Sequence, residues 1–391
     1  MVSTALAVAF GIFRENKHRS WSRAINLAMM RYLFNQKWDM YTLQSFIGAT
    51  TTQMYRAWAA EEKIEALTDI LPEKAKLHWI GPRQEGSQGR VLLYFFGEAW
   101  LISLHFARLL NTVLYQTLFA GGAFCLPPRS DHFPFLQAIQ NTVSASLDNF
   151  SIAILEYCEH SRSHRRRFLP VRVLIITSTA MMPDNPFPTQ LNQANVALTH
   201  LLNKGIPPAN IILSGDSGGG NIVIQLGVHI LHPLSSISAP PRLTQPFAGG
   251  LLISPWNIYN VDTPSYAQND RKDVLDLRCY MLINDVVKKG LDPELQDYNE
   301  PILAPAGWLQ GLDKVYSRIC ITAGDEECLL DQTKETTDIL SRYVRDTQLV
   351  VEQGSAHGEV IFRFATKEGG VGKDWDAIIA FSLKSLAGGS K

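Results

Sequence analysis

Ile211-Ile212-Leu213-Ser214-Gly215-Asp216-Ser217-Gly218-Gly219-Gly220-Asn221 decides how this chain is read. Four residues patterned as a buried strand run into Gly-x-Ser-x-Gly, and Ile222 to Ile230 then continues as a helix. A serine standing on a sharp strand-to-helix turn needs very small neighbours, and Gly215, Gly218 and Gly219 supply them. The N-terminus of the following helix aims backbone N–H groups at any negative charge that forms beside Ser217. Such a serine acts only if the rest of the chain provides a base, an acid to orient it and further N–H donors.

Working outward, strand patterns recur at 77–80, 91–95, 150–157, 250–254, 317–322 and 348–352. Helical patterns separate the later ones, at 136–147, 189–204, 275–289, 331–345 and 374–385. This alternation predicts an α/β fold: a mostly parallel sheet with helices on both faces. Residues 1–70 read as an N-terminal helical cap, with apolar steps of three and four across 21–33 and 40–58, and 71–391 as the catalytic domain. The basic cluster Arg162, Arg165, Arg166 and Arg167 reads as a solvated loop before a strand-like stretch, Val171 to Thr177.

Composition narrows the field. The chain has 391 residues, 46% of them hydrophobic, and a net charge of −1, which gives no electrostatic footprint for nucleic acid. Cys125, Cys158, Cys279, Cys320 and Cys328 are scattered, without metal-ligand spacing or an even disulfide framework. That usage points to a reducing, cytoplasmic setting. Val2 to Phe13 is apolar but shorter than the ~20 residues that span a bilayer. It reads as a helix packed on the body, with peripheral membrane contact as the alternative. The terminal Gly-Ser-Lys is one leucine short of a peroxisomal address.

The Ser217 stretch resembles the turn of the α/β-hydrolases, and that resemblance implies the chain order serine, acid, histidine, so the base is expected after Ser217 with the acid between the two. Of the ten histidines only His229, His232 and His357 follow Ser217, and the first two leave no room for an acid after a later strand. His357, in Gly354-Ser355-Ala356-His357-Gly358, is the candidate base. The acid falls in Asp325-Glu326-Glu327-Cys328-Leu329-Leu330-Asp331, where four carboxylates compete. For the oxyanion hole Gly218 offers one N–H, and Gly121, Gly122 and Ala123 in Ala120-Gly121-Gly122-Ala123-Phe124 offer others. Nothing in this chemistry calls for a metal or a cofactor.

These residues resemble the hormone-sensitive-lipase-like branch of the α/β-hydrolases, in particular fungal esterase/lipase and steryl-acetyl-hydrolase relatives of secondary-metabolite clusters. The resemblance runs through Leu77-His78-Trp79-Ile80-Gly81 and Val91 to Phe95. It continues in Pro186-Phe187-Pro188-Thr189-Gln190-Leu191-Asn192-Gln193, the Ser217 motif and Leu252-Ile253-Ser254-Pro255-Trp256. It implies a carboxylic ester hydrolase acting on a small hydrophobic ester through an acyl-enzyme. In that branch the acid stands four residues before an aspartate, which favours Glu327 over Asp325, with Glu in place of the usual Asp. The chain also departs from the pattern. Ala120 stands where the oxyanion loop has histidine, and 97–119 and 158–179 interrupt the family sequence as insertions or retained introns. Two other readings follow: an acyltransferase or a releasing or cyclising enzyme on the same residues, and a hydrolase-like protein made inactive by the interrupted loop.

Overall fold

A computed structural model describes residues 23, 50–97, 132–157 and 185–387. The sequence-based expectations for Val2 to Phe13, Gly121 to Ala123, the strand at Val171 to Thr177 and most of 1–70, 97–119 and 158–179 lie outside these residues.

Among the described residues the sheet has eight strands: β1 (Leu67–Ile70), β2 (Lys76–Ile80), β3 (Arg90–Phe95), β4 (Phe150–Glu156), β5 (Ile211–Asp216), β6 (Gly249–Ile253), β7 (Ile319–Gly324) and β8 (Thr347–Glu352). Their spatial order is β1-β2-β4-β3-β5-β6-β7-β8. β1 and β2 run antiparallel to their neighbours, and every pair from β4 to β8 is parallel. The helices are α1 (Thr51–Glu62), α2 (His132–Ser144), α3 (Thr189–Asn203), α4 (Gly218–Leu231), α5 (Pro264–Asn269), α6 (Leu277–Lys289), α7 (Gln296–Asn299), α8 (Leu330–Ser341), α9 (Glu359–Ala365) and α10 (Lys373–Ala387).

Side chains alternate across a strand, and here both faces are covered. Val91, Leu93 and Phe95 of β3 belong to one buried cluster that also takes in Leu198, Val223 and Leu340, from α3, α4 and α8. Leu92 and Tyr94, between them, point the other way, into a cluster with Trp58, Leu136 and Ile378, from α1, α2 and α10. Two-sided burial explains why the central strands read as continuous apolar runs rather than as alternating ones.

The boundary expected at residue 70 is corrected. The helical segment ends with α1, and Leu67-Thr68-Asp69-Ile70 joins the sheet as its edge, paired Leu67 to Trp79 and Ile70 to Lys76. None of its four residues is fully buried and Ile70 is 73% exposed, so the strand lacks the apolar signature of the inner ones. α1 is closed at its start by a capping box, in which Thr50 and Gln53 each accept from the other's backbone N–H. The helix then docks on the sheet through Tyr55, which is fully buried. Its hydroxyl donates to the Trp79 carbonyl at 2.7 Å and accepts from Leu67 N at 2.9 Å, pinning α1 to the β1–β2 pair.

Tyr55→Phe keeps the ring and leaves those two backbone groups without their hydroxyl. It is expected to cost about 1–3 kcal/mol, read as a lower midpoint in denaturant unfolding at an unchanged slope.

Candidate active site

β5 delivers the chain to Ser217, and α4 leads away from it. The serine sits at φ +52°, ψ −122°, a conformation that a side chain other than glycine rarely adopts. Three backbone bonds hold it there: Ser217 N donates to the Ile253 carbonyl at 2.9 Å, and the Ser217 carbonyl accepts from Trp256 N at 2.9 Å and from Gly220 N at 3.0 Å. The glycines around it are required by close approach. A Cβ on Gly219 would lie 2.0 Å from the Phe95 carbonyl oxygen, so the first turn of α4 rests directly on the end of β3. A Cβ on Gly97 would lie 2.5 Å from the Ser217 Cβ, so the chain leaving β3 passes right against the serine.

The loops after β7 and β8 bring the partners. His357 Nε2 lies 3.0 Å from Ser217 Oγ, and its Nδ1 lies 3.2 Å from Glu327 Oε2. All three side chains are buried. Of the four carboxylates in the acid loop, Glu327 is the one hydrogen-bonded to His357. The other Glu327 oxygen accepts from Ser254 Oγ at 2.6 Å and from Gly324 N. Ser254 Oγ in turn accepts from Gly358 N at 3.1 Å, so one hydroxyl ties the acid to the residue after the base. Asp325 does different work, accepting from Gly354 N at 2.7 Å to join the two loops at their roots. Asp331 accepts from Ser265 N at 2.9 Å at the start of α8. Gly218 is the first residue of α4, where helical N–H groups have no partner within the helix.

The residue before the serine was absorbed in the motif and carries a role of its own. Asp216 is buried, and its Oδ1 accepts from Tyr94 Oη at 2.9 Å and from Gly97 N at 3.2 Å, with His132 Nε2 at 3.5 Å. This carboxylate thus fastens the end of β3 and the start of α2 beside the serine. Burial pushes Asp216 up, but the charge and hydrogen bond of His132, then Tyr94 and Gly97, outweigh it and leave its carboxyl below the usual range. No role for His132 or Ser254 was legible in the sequence, although Ser254 lies in a stretch that carries the resemblance. The cleft over Ser217 is lined by His132, His357, Ile361 and Phe362, the last two giving α9 an apolar wall.

Electrostatics set the working state of His357. Burial favours its neutral form, but the Glu327 hydrogen bond and charge, with the charges of Asp273 and Asp216, outweigh it and raise its pKa above the ordinary imidazole value. Glu327 is itself pushed up by burial, against the pull of His357 and with a further push from Asp273.

Residues 173–361 match a family described as alpha/beta hydrolase fold. Two relatives align over 154 residues: an acetyl-hydrolase of Streptomyces hygroscopicus, 29% identical, and an esterase of Acinetobacter venetianus, 26% identical. In each case the alignment takes in 39% of this chain and 46% of the relative, so the chain spans about half the length of the relatives it matches. Among solved structures, an esterase from the bacterial hormone-sensitive lipase family superposes with a TM-score of 0.62 at 18% identity, covering 94% of this chain and 98% of that one. An esterase/lipase from an uncultured bacterium also gives 0.62, at 15% identity, covering 95% of this chain and 100% of that one.

A base must be neutral to accept a proton, so activity is expected to fall as pH drops through the raised pKa of His357. The acid limb of kcat/KM should therefore lie above about 6.5, the ordinary imidazole value. Glu327→Gln removes the largest opposing charge, which lets burial dominate. It should move that limb to lower pH while lowering kcat. A pH–rate series on both proteins checks the sign.

Proposed function

We propose that this chain, an alpha/beta-hydrolase-fold protein akin to the hormone-sensitive-lipase-like esterases, is a serine hydrolase that cleaves a carboxylic ester. The observation that carries this reading is the unbroken line from Ser217 Oγ to His357 Nε2 at 3.0 Å and from His357 Nδ1 to Glu327 Oε2 at 3.2 Å. The names of the relatives, acetyl-hydrolase and esterase, support it.

In this reading Ser217 Oγ attacks the ester carbonyl carbon as its proton passes to His357 Nε2. The carbonyl π electrons move onto oxygen, giving a tetrahedral oxyanion. Gly218 N–H at the head of α4 faces that charge, and Gly121, Gly122 and Ala123 are proposed as its further donors. Each such donor is worth roughly 3–4 kcal/mol of transition-state stabilisation. The oxyanion collapses, the C–O bond to the alcohol breaks, and the imidazolium gives its proton to the leaving oxygen. Water, deprotonated by His357, then releases the acid from Ser217 by the same two steps in reverse order. Glu327 stays ionised throughout, holding the Nδ1–H tautomer and stabilising the imidazolium. Ile361 and Phe362 favour an apolar substrate beside the serine, in keeping with a small hydrophobic acyl or acetyl ester.

Ser217→Ala is expected to lower kcat on a short-chain aryl ester by at least about 10³-fold while leaving the thermal midpoint within a few degrees of the parent. Full esterase activity in the folded variant would contradict the assignment.

A further inference from the structure

A buried carboxylate outside the three residues described above touches both loops that carry them. Asp273 lies between α5 and α6, in Arg271-Lys272-Asp273-Val274-Leu275, and its side chain is fully buried. Taking a carboxylate out of water costs several kcal/mol unless donors replace its hydration. Four donors do so here. Oδ1 accepts from His357 N at 2.8 Å and from Val274 N at 2.7 Å. Oδ2 accepts from Cys328 N at 2.7 Å and from Tyr280 Oη at 3.0 Å. One oxygen therefore holds the backbone of the proposed base, and the other holds the residue that follows the proposed acid.

The two loops are also joined near the strand ends, where Asp325 accepts from Gly354 N and Glu326 N donates to the Ser355 carbonyl at 3.0 Å. Those bonds fix the roots of the loops. Asp273 fixes their tips, within one residue of both working side chains. A displacement of about 1 Å in such a pair costs on the order of 10²-fold in rate.

We infer that Asp273 is a positioning residue, a carboxylate bridge that sets the separation of the Glu327 and His357 loops and lends its charge to the imidazolium formed during the reaction. The inference rests on the serine-hydrolase reading. Asp273 is fully buried and is not among the residues lining the cleft over Ser217; it acts through backbone N–H groups and through its field. The charged and titratable groups around His357 are Glu327 after β7, Asp273 before α6, Asp216 at the end of β5, His132 on α2 and Glu359 on α9. Glu359 is engaged by Ala356 N at 2.6 Å and by Arg23 Nε at 2.7 Å. Asp273 is thus one of three anions that favour a protonated His357, and the one that also grips its main chain.

Asp273→Asn tests this. It preserves shape, removes the charge, and turns an NH₂ group toward donors that need an acceptor. The expected result is a kcat on a short-chain aryl ester lowered about 10- to 100-fold with KM within about twofold. The acid limb of the pH profile should move to lower pH, and Ser217 should react with a fluorophosphonate more slowly by a similar factor. A folded variant with the parent kcat and acid limb overturns the inference, and so does a kcat loss with an unmoved acid limb, which marks a purely structural effect. If Asp273→Asn is not recovered folded, Tyr280→Phe decides. It strips one donor from the same carboxylate and exposes more of its charge to His357. A kcat about threefold lower with the acid limb moved to higher pH supports the bridge, and an unmoved profile overturns it. A parent chain inert to both ester and fluorophosphonate overturns the hydrolase reading and this inference with it. An active parent beside an unaltered Asp273→Asn overturns the inference alone.

Discussion

The backbone of Ser217 stands at φ +52°, a conformation that costs a residue with a side chain about 1–3 kcal/mol and persists only where its surroundings impose it. Three neighbours impose it here. β6 accepts the Ser217 N–H, Trp256 donates to its carbonyl, and Gly219 lets the helix press onto the end of β3. The order of the sheet follows the same need: β5 lies between β3 and β6, so both strands that brace the turn are its immediate neighbours. The proposed acid and base come from the loops after β7 and β8 respectively, farther along the same side, and gather near Ser217 because parallel strands deliver all their C-terminal ends to one edge.

That edge gathers buried negative charge. Glu327, Asp273 and Asp216 all act on one imidazole, and each is satisfied locally: Glu327 by Ser254 and His357, Asp273 by backbone N–H groups and Tyr280, Asp216 by Tyr94, Gly97 and His132. Hydrogen bonds from neutral donors let Asp273 stay buried without neutralising its field, whereas the charge of His132 stands beside Asp216. The consequence is a histidine whose pKa is raised above the ordinary value despite its burial, which suits the role proposed for it, cationic in the transition state and neutral again afterwards. Substituting Glu for the Asp usual in the resembling branch lengthens the acid by one methylene. Ser254 and Gly324 take up the oxygen that does not face His357.

Much of this was legible in the chain. β3 to β7 announced themselves because strands covered on both faces carry unbroken apolar runs, and Ser217 because a strained turn requires glycines at fixed steps. His357 followed from chain order. Glu327 did not follow from the residues alone, since four carboxylates share its loop and hydrogen bonding decides which one faces the histidine; the resemblance was needed to favour it. β1 was missed because a half-covered edge strand of four residues has no strong pattern. Asp273 was illegible for a different reason. An aspartate after Arg271-Lys272 reads as a solvated loop, and only folding shows that His357 and Cys328 turn their N–H groups onto it. The close approach of Gly97 to Ser217 was likewise invisible, because it depends on how β3 meets β5.

The central claim is that Ser217 is a nucleophile activated by His357. Incubating the full chain with a fluorophosphonate and mapping the adduct by peptide mass spectrometry tests it most directly. One stoichiometric adduct is expected, on Ser217, whose formation slows as pH falls and is abolished in His357→Ala. A folded chain that takes no adduct, or takes it on another residue at the same rate in His357→Ala, would contradict it.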